Sequence, residues 1–93
     1  MFDYTGQIVQ ADAGRDKGGI FCVLGVDQEQ VRLLLADGKR RRVSHPKLKK
    51  LGHVTLLTDT QHEYDHPAIQ KLKQGTPLSD RELRRALAAF KGR

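Results

Sequence analysis

Tryptophan is absent, cysteine and methionine occur once each, and proline only three times. The lone Cys22 excludes an internal disulfide. No Cys or His stands around it at metal-ligand spacing, so within the apolar run 21–24 it reads as a buried, inert thiol. Aromatic rings are equally sparse: Phe2, Tyr4, Phe21, Tyr64 and Phe90, with Phe21 and Phe90 expected in the core, form no cluster that could stack single-stranded bases. No apolar run approaches about 18 residues, and no signal peptide or lipidation motif is present. A soluble, cytoplasmic protein with no membrane partner is the expectation. A Ser/His/Asp or Cys/His nucleophile grouping, a Walker loop and paired catalytic carboxylates are missing too, so neither an enzyme nor a cofactor site is expected. Ninety-three residues suffice for one compact module that buries roughly 60 to 65% of its unfolded surface, but not for a second full domain or a large enclosed cavity.

What the chain has is positive charge: 17 Lys and Arg against 11 Asp and Glu, a net +6. A surface of that sign attracts polyanions, nucleic acid first. Its placement is sharper than its sum. Between residues 39 and 50 stand Lys39, Arg40, Arg41, Arg42, Lys47, Lys49 and Lys50 with no acid among them. Val43, Pro46 and Leu48 interrupt the run, the mark of an ordered element that presents charge outward and not of a floppy basic tail. Most charge runs are only solvated faces; uncompensated bases this dense repel one another and favour a polyanion partner.

The first half reads as short strands. Residues 7–11 place Val9 and Ala11 on one face and Ile8 on the other, and a glycine-rich stretch with Gly14, Gly18 and Gly19 follows. Residues 20–26 form a nearly continuous apolar strand. In 31–36, Val31, Leu33 and Leu35 alternate with Arg32 and Leu34, the period of a third strand. Asp37-Gly38 is the dipeptide of a tight type I′ hairpin, which leads to a fourth strand over 39–44 with Val43 inward, Lys39 and Arg41 on its side, and Arg40 and Arg42 opposite. A fifth strand covers 54–57. Five short strands joined by tight turns predict a small antiparallel barrel.

The last third changes period. Pro67 opens a short helix over 67–74, with Asp65 or His66 as cap and Gly75 as stop. Ser79-Asp80-Arg81-Glu82 is a capping box, and Leu83, Ala86, Leu87 and Phe90 recur at helical spacing over 80–91. That stripe is read as a seam packed on the barrel or the shorter helix; a helix that grips a partner is the alternative. The organisation expected is a barrel over 1–58, a linker over 59–66 and a helical extension over 67–93.

Gly14, Lys17 and Gly18, with Val23 and Val26 behind them, stand at the spacing of the KOW motif, and the stretch 6–18 resembles that motif. Ala13-Gly14-Arg15-Asp16-Lys17-Gly18, Ala36-Asp37-Gly38-Lys39-Arg40-Arg41, and Pro46-Lys47 with Lys49-Lys50-Leu51 follow in an order similar to small bacterial KOW-domain proteins that look like the eukaryotic-type large-subunit ribosomal protein fourteen. The resemblance covers residues 6–57. It implies a mainly β, SH3-like barrel, RNA binding and ribosome association in translation, with ribosomal RNA of the large subunit as partner and neighbouring ribosomal proteins beside it. The expected RNA ligands are Arg15, Lys17, Lys39, Arg40, Arg41, Arg42, His45, Lys47, Lys49 and Lys50, on a loop shaped by Gly14 and Gly18. Asp12 and Asp16 oppose phosphate there unless Arg15 or Lys17 pairs with them. With no platform of rings, folded RNA read by shape and phosphate suits this inventory better than single strands. A monomer is expected.

Two readings compete. His62-Glu63-Tyr64-Asp65-His66 matches the zinc-protease pattern HExxH, but Pro67 directly behind it and the loop-like residues before it favour a loop leading into a helix, and no third ligand follows. His45 and His53 flank the basic run either as plain surface histidines or as phosphate and ribose contacts. The second reading is a protein-interaction adaptor, in which the barrel or the Leu83/Leu87/Phe90 helix grips another protein and the bases only steer it.

Overall fold

The computed structural model describes residues 4–59 and 61–92. Five strands, β1 (Ile8–Ala11), β2 (Ile20–Asp27), β3 (Arg32–Ala36), β4 (Lys47–Lys50) and β5 (Val54–Leu56), form one antiparallel sheet in the order β4-β3-β2-β1-β5. Two helices follow, α1 (Pro67–Lys73) and α2 (Asp80–Lys91). Among the described residues no helix is long and apolar enough to cross a membrane.

The sheet curls strongly without closing, for no ladder joins β4 to β5. In a flat sheet those two edges would stand about 19 Å apart, at about 4.8 Å per strand. They are connected instead by the short 3-10 turn Leu51–His53, which spans about 6 Å. A second tie crosses the same space, because Lys49 Nζ on β4 donates to the carbonyl of Ala13 just beyond β1, at 2.7 Å. A break in register between Val23 and Gly25 helps β2 bend, since a bulge adds twist.

Period-2 alternation assigns the two faces. Val9, Ala11, Phe21, Val23, Leu33 and Leu35 pack together inside the curl, whereas Ile8, Cys22 and Ala36, direct neighbours across β1, β2 and β3, point outward. Those three would be exposed on a bare sheet. They are covered by Tyr64, Ala68, Ile69, Leu78, Leu83, Ala86 and Leu87, so the helices complete the core. Full burial of Ile69, Leu83 and Leu87 stabilises this layer by about 2 kcal/mol each. Cys22 is buried there, and loss of hydration pushes its thiol up to about 12.

Local signals set the helix ends. His66 caps α1 by accepting from the Ala68 amide at Nδ1, 3.1 Å, with Pro67 at the first position, and the positive φ of Gly75 (+77°) ends the turn that follows. The capping box of α2 is complete: the Glu82 amide donates to Ser79 Oγ at 3.1 Å and the Ser79 amide to Glu82 Oε1 at 3.3 Å. Lys71 of α1 reaches Glu82 Oε2 at 2.6 Å and joins the helices. The HExxH stretch is non-helical. His66 is a cap, Tyr64 is buried with its hydroxyl donating to the Ala86 carbonyl at 2.8 Å, and His62 Nδ1 lies 3.2 Å from Asp59 Oδ1. Both histidines are therefore off any shared helical face.

Two strand expectations are corrected. Val31 does not open β3: it sits in the β2–β3 turn with φ +52° and 74% exposure, because the Asp27 carboxylate holds the amides of Glu29 and Gln30 and extends the turn. Residues 39–44 do not form a strand either. Asp37 Oδ1 accepts from the amides of Lys39 and Arg41, both at 2.9 Å, and keeps them from a ladder with β3. The Val43 amide donates to Asp80 Oδ1 at 2.7 Å, and the strand that pairs with β3 begins only after Pro46.

Candidate nucleic-acid interface

The basic surface is built on three segments. The first is the β1–β2 loop, where Gly14 (φ +79°) and Gly18 (φ +87°) take left-handed conformations that few other residues tolerate. The Gly18 amide donates to the Ala11 carbonyl at 2.8 Å, and the Gly19 amide to the Asp16 carbonyl at 2.8 Å, so the loop is held by its own backbone. Arg15 and Lys17 are exposed on it. Asp16, by contrast, is 5% exposed and accepts from Arg41 Nε at 3.2 Å and Nη2 at 2.9 Å. The acid that would repel phosphate here is neutralised from the neighbouring loop and not by Arg15 or Lys17. Asp12 stays exposed and accepts from the Thr55 hydroxyl at 2.7 Å.

The second segment, residues 37–46, is compact, with the amides of Asp37 and Gly38 both donating to the Arg41 carbonyl at 2.9 and 3.0 Å. Helix α2 fastens it at two points, through the Val43–Asp80 bond and through Arg84 Nη1 to the Gly38 carbonyl at 2.7 Å. Gly38 has φ +78°, and a Cβ there would lie 2.3 Å from the Asp80 carbonyl oxygen. Glycine is required twice over, by conformation and by the close approach of the helix. On this scaffold Lys39, Arg40, Arg42 and His45 are exposed.

The third segment is β4. Lys47 and Lys50 are exposed, while Lys49 is buried, its stem on the inner face opposite Leu33 and its ammonium on the Ala13 carbonyl. Of the ten expected ligands, Arg41 and Lys49 are thus committed to the protein itself: they tie the second and third segments to the first. No described acid pairs with Arg15, Lys17, Lys39, Arg40, Arg42, Lys47 or Lys50.

No protein-family model matches the chain, and no curated protein matches it either. The interface therefore stands on its own geometry. What that geometry offers is a set of unpaired cations on braced loops, suited to phosphate contact, with no nucleophile or paired carboxylate among them.

One residue was not singled out from the sequence. Arg32, in the sequence only an alternating position of the third strand, lies directly opposite Lys50 and joins Lys47, Lys49, Lys50 and His53 around a shallow groove of about 210 Å³. The signal that finds it is cross-strand register, visible only once β4 is placed at 47–50. Asp80 and Arg84 were likewise read only as helix residues; their role lies in distant backbone groups of the second segment.

Proposed function

We propose that the protein is a non-enzymatic RNA-binding module that associates with the ribosome in the cytoplasm and contacts large-subunit ribosomal RNA through phosphate and shape. The observation that carries this reading is the set of exposed cations on braced loops, Arg15, Lys17, Lys39, Arg40, Arg42, Lys47 and Lys50, with the one buried acid among them neutralised by Arg41. Cations carried on braced backbone spare the loops the cost of ordering on meeting phosphates, and they release counterions when they do. The KOW-like spacing of Gly14, Lys17 and Gly18 supports the same reading, and with it the curled sheet is read as an SH3-like barrel whose open side is bridged by residues 51–53.

Of the adaptor alternative, the helix arm has little apolar surface to offer, because Leu83 and Leu87 face the core, whereas the barrel arm keeps Leu51, Leu56 and Leu57 exposed. Sedimentation of tagged protein through a sucrose gradient, with and without ribonuclease, tests the assignment. Comigration with large subunits that ribonuclease abolishes is expected; migration in a ribonuclease-resistant protein complex would select the adaptor.

A further inference from the structure

The groove between Arg32, Lys47, Lys50 and His53 carries a chemistry of its own. Arg32 and Lys50 are direct partners across β3 and β4, and like charges in that position destabilise a sheet. No described carboxylate relieves them. Asp27, the partner of Arg32 on β2, has turned its carboxylate to the amides of Glu29 and Gln30, and no ion pair to Arg32 exists among the described residues. The Nε of Arg32 is buried and has no hydrogen-bond partner among the described residues. Lys49 contributes only its stem, as its ammonium is bound to Ala13. Lys47 stands at the start of the same strand, and His53 closes the groove from the turn after β4.

We propose that this groove is a phosphate-binding subsite, in which an anionic phosphate group is gripped by the Arg32 guanidinium and the Lys50 ammonium. A phosphate satisfies what the fold leaves open: it screens the Arg32–Lys50 repulsion and accepts from the guanidinium fork, which suits two oxygens of one phosphate. At about 210 Å³ the groove holds the volume of about seven waters, room for a phosphate and part of its sugar. The natural ligand, a backbone phosphodiester, rests on the RNA reading; the chemistry of the subsite rests on the groove alone.

The test is a titration of the purified protein with inorganic phosphate, followed by the backbone amide resonances. Saturable shifts centred on Arg32 and residues 47–53 are expected, and Arg32→Gln or the exposed Lys50→Gln should weaken the affinity by about tenfold, the equivalent of one lost charge-assisted bond. Lys50→Gln guards against a folding defect at the half-buried Arg32. Shifts of equal size at Arg15, Lys17 and residues 39–42, or both variants titrating like the parent protein, would overturn the subsite. The Arg40→Ala/Arg42→Ala protein separates the two readings: it should keep the phosphate titration while losing RNA affinity. A protein that titrates phosphate as described but binds no RNA would keep the subsite and remove the RNA function. One that binds RNA while its Arg32→Gln and Lys50→Gln forms titrate phosphate like the parent would do the reverse.

Discussion

The two basic loops are braced differently. The β1–β2 loop takes its turn from backbone hydrogen bonds within residues 11–19, with Arg41 and Lys49 reaching it from the neighbouring segments, whereas the loop over 37–46 adds to its own Asp37 and Arg41 bonds two fastenings from α2, Asp80 and Arg84, 37 and 46 positions further along the chain. Among the described residues no hydrogen bond from either helix reaches the first loop. A loop fastened by a distant helix forms only when the core beneath that helix is complete. The helical extension is therefore part of the device that presents Arg40 and Arg42, and damage to it should reach the second loop while sparing the first.

Matched glycine substitutions break this contrast most sharply. Gly38→Ala meets a left-handed φ together with a Cβ contact of 2.3 Å to the Asp80 carbonyl, and should cost about 3 kcal/mol in denaturant unfolding. Gly18→Ala has φ +87° but nothing within 4 Å of the added methyl, so only the conformational cost of about 1 kcal/mol should appear. Equal costs would show that α2 does not press on the second loop. Asp80→Ala comes next. It strips the Val43 amide of its acceptor, with an expected loss of about 1 to 2 kcal/mol and faster amide exchange in 38–43 but not in 14–19. Exchange rising equally in both loops would mean general loosening.

The smallest effect is on pH dependence. The hydrogen bond from Lys71, with help from the Ser79 amide, lowers the Glu82 carboxyl below its ordinary value of 4.5. The unfolded chain then binds the proton more tightly than the folded one, so the stabilisation is complete above about 4.5 and disappears as pH falls through the lower folded value. Glu82→Gln should flatten the melting temperature against pH only below about 4.5, and modestly, because the pair is exposed to solvent.

Why some of this was legible in the sequence follows from where each signal sits. The capping box at Ser79, Pro67 and Gly75 around α1, and the alternation of Ile8 against Val9 are written within a few residues, and each matches the structure. Residues 39–44 misled because the Asp37-Gly38 dipeptide announces a hairpin with a strand behind it, while the groups that capture their amides are the Asp37 carboxylate and, across the molecule, Asp80. Arg41 and Lys49 looked like their neighbours for the same reason. Their partners, Asp16 and the Ala13 carbonyl, are 25 and 36 positions away, and no local pattern separates a bridging base from a free one.

Salt dependence of RNA affinity tests the central claim, that braced and unpaired cations meet phosphates, most directly. If about six of them do, the affinity of the purified protein for ribosomal RNA should fall with a log-log slope of roughly −4 to −5. Arg40→Ala/Arg42→Ala should reduce that slope by roughly 1.5 to 2 at unchanged thermal stability, because both side chains are exposed and no described acid pairs with them. A slope near zero, or a double variant with the parent's slope, would contradict it.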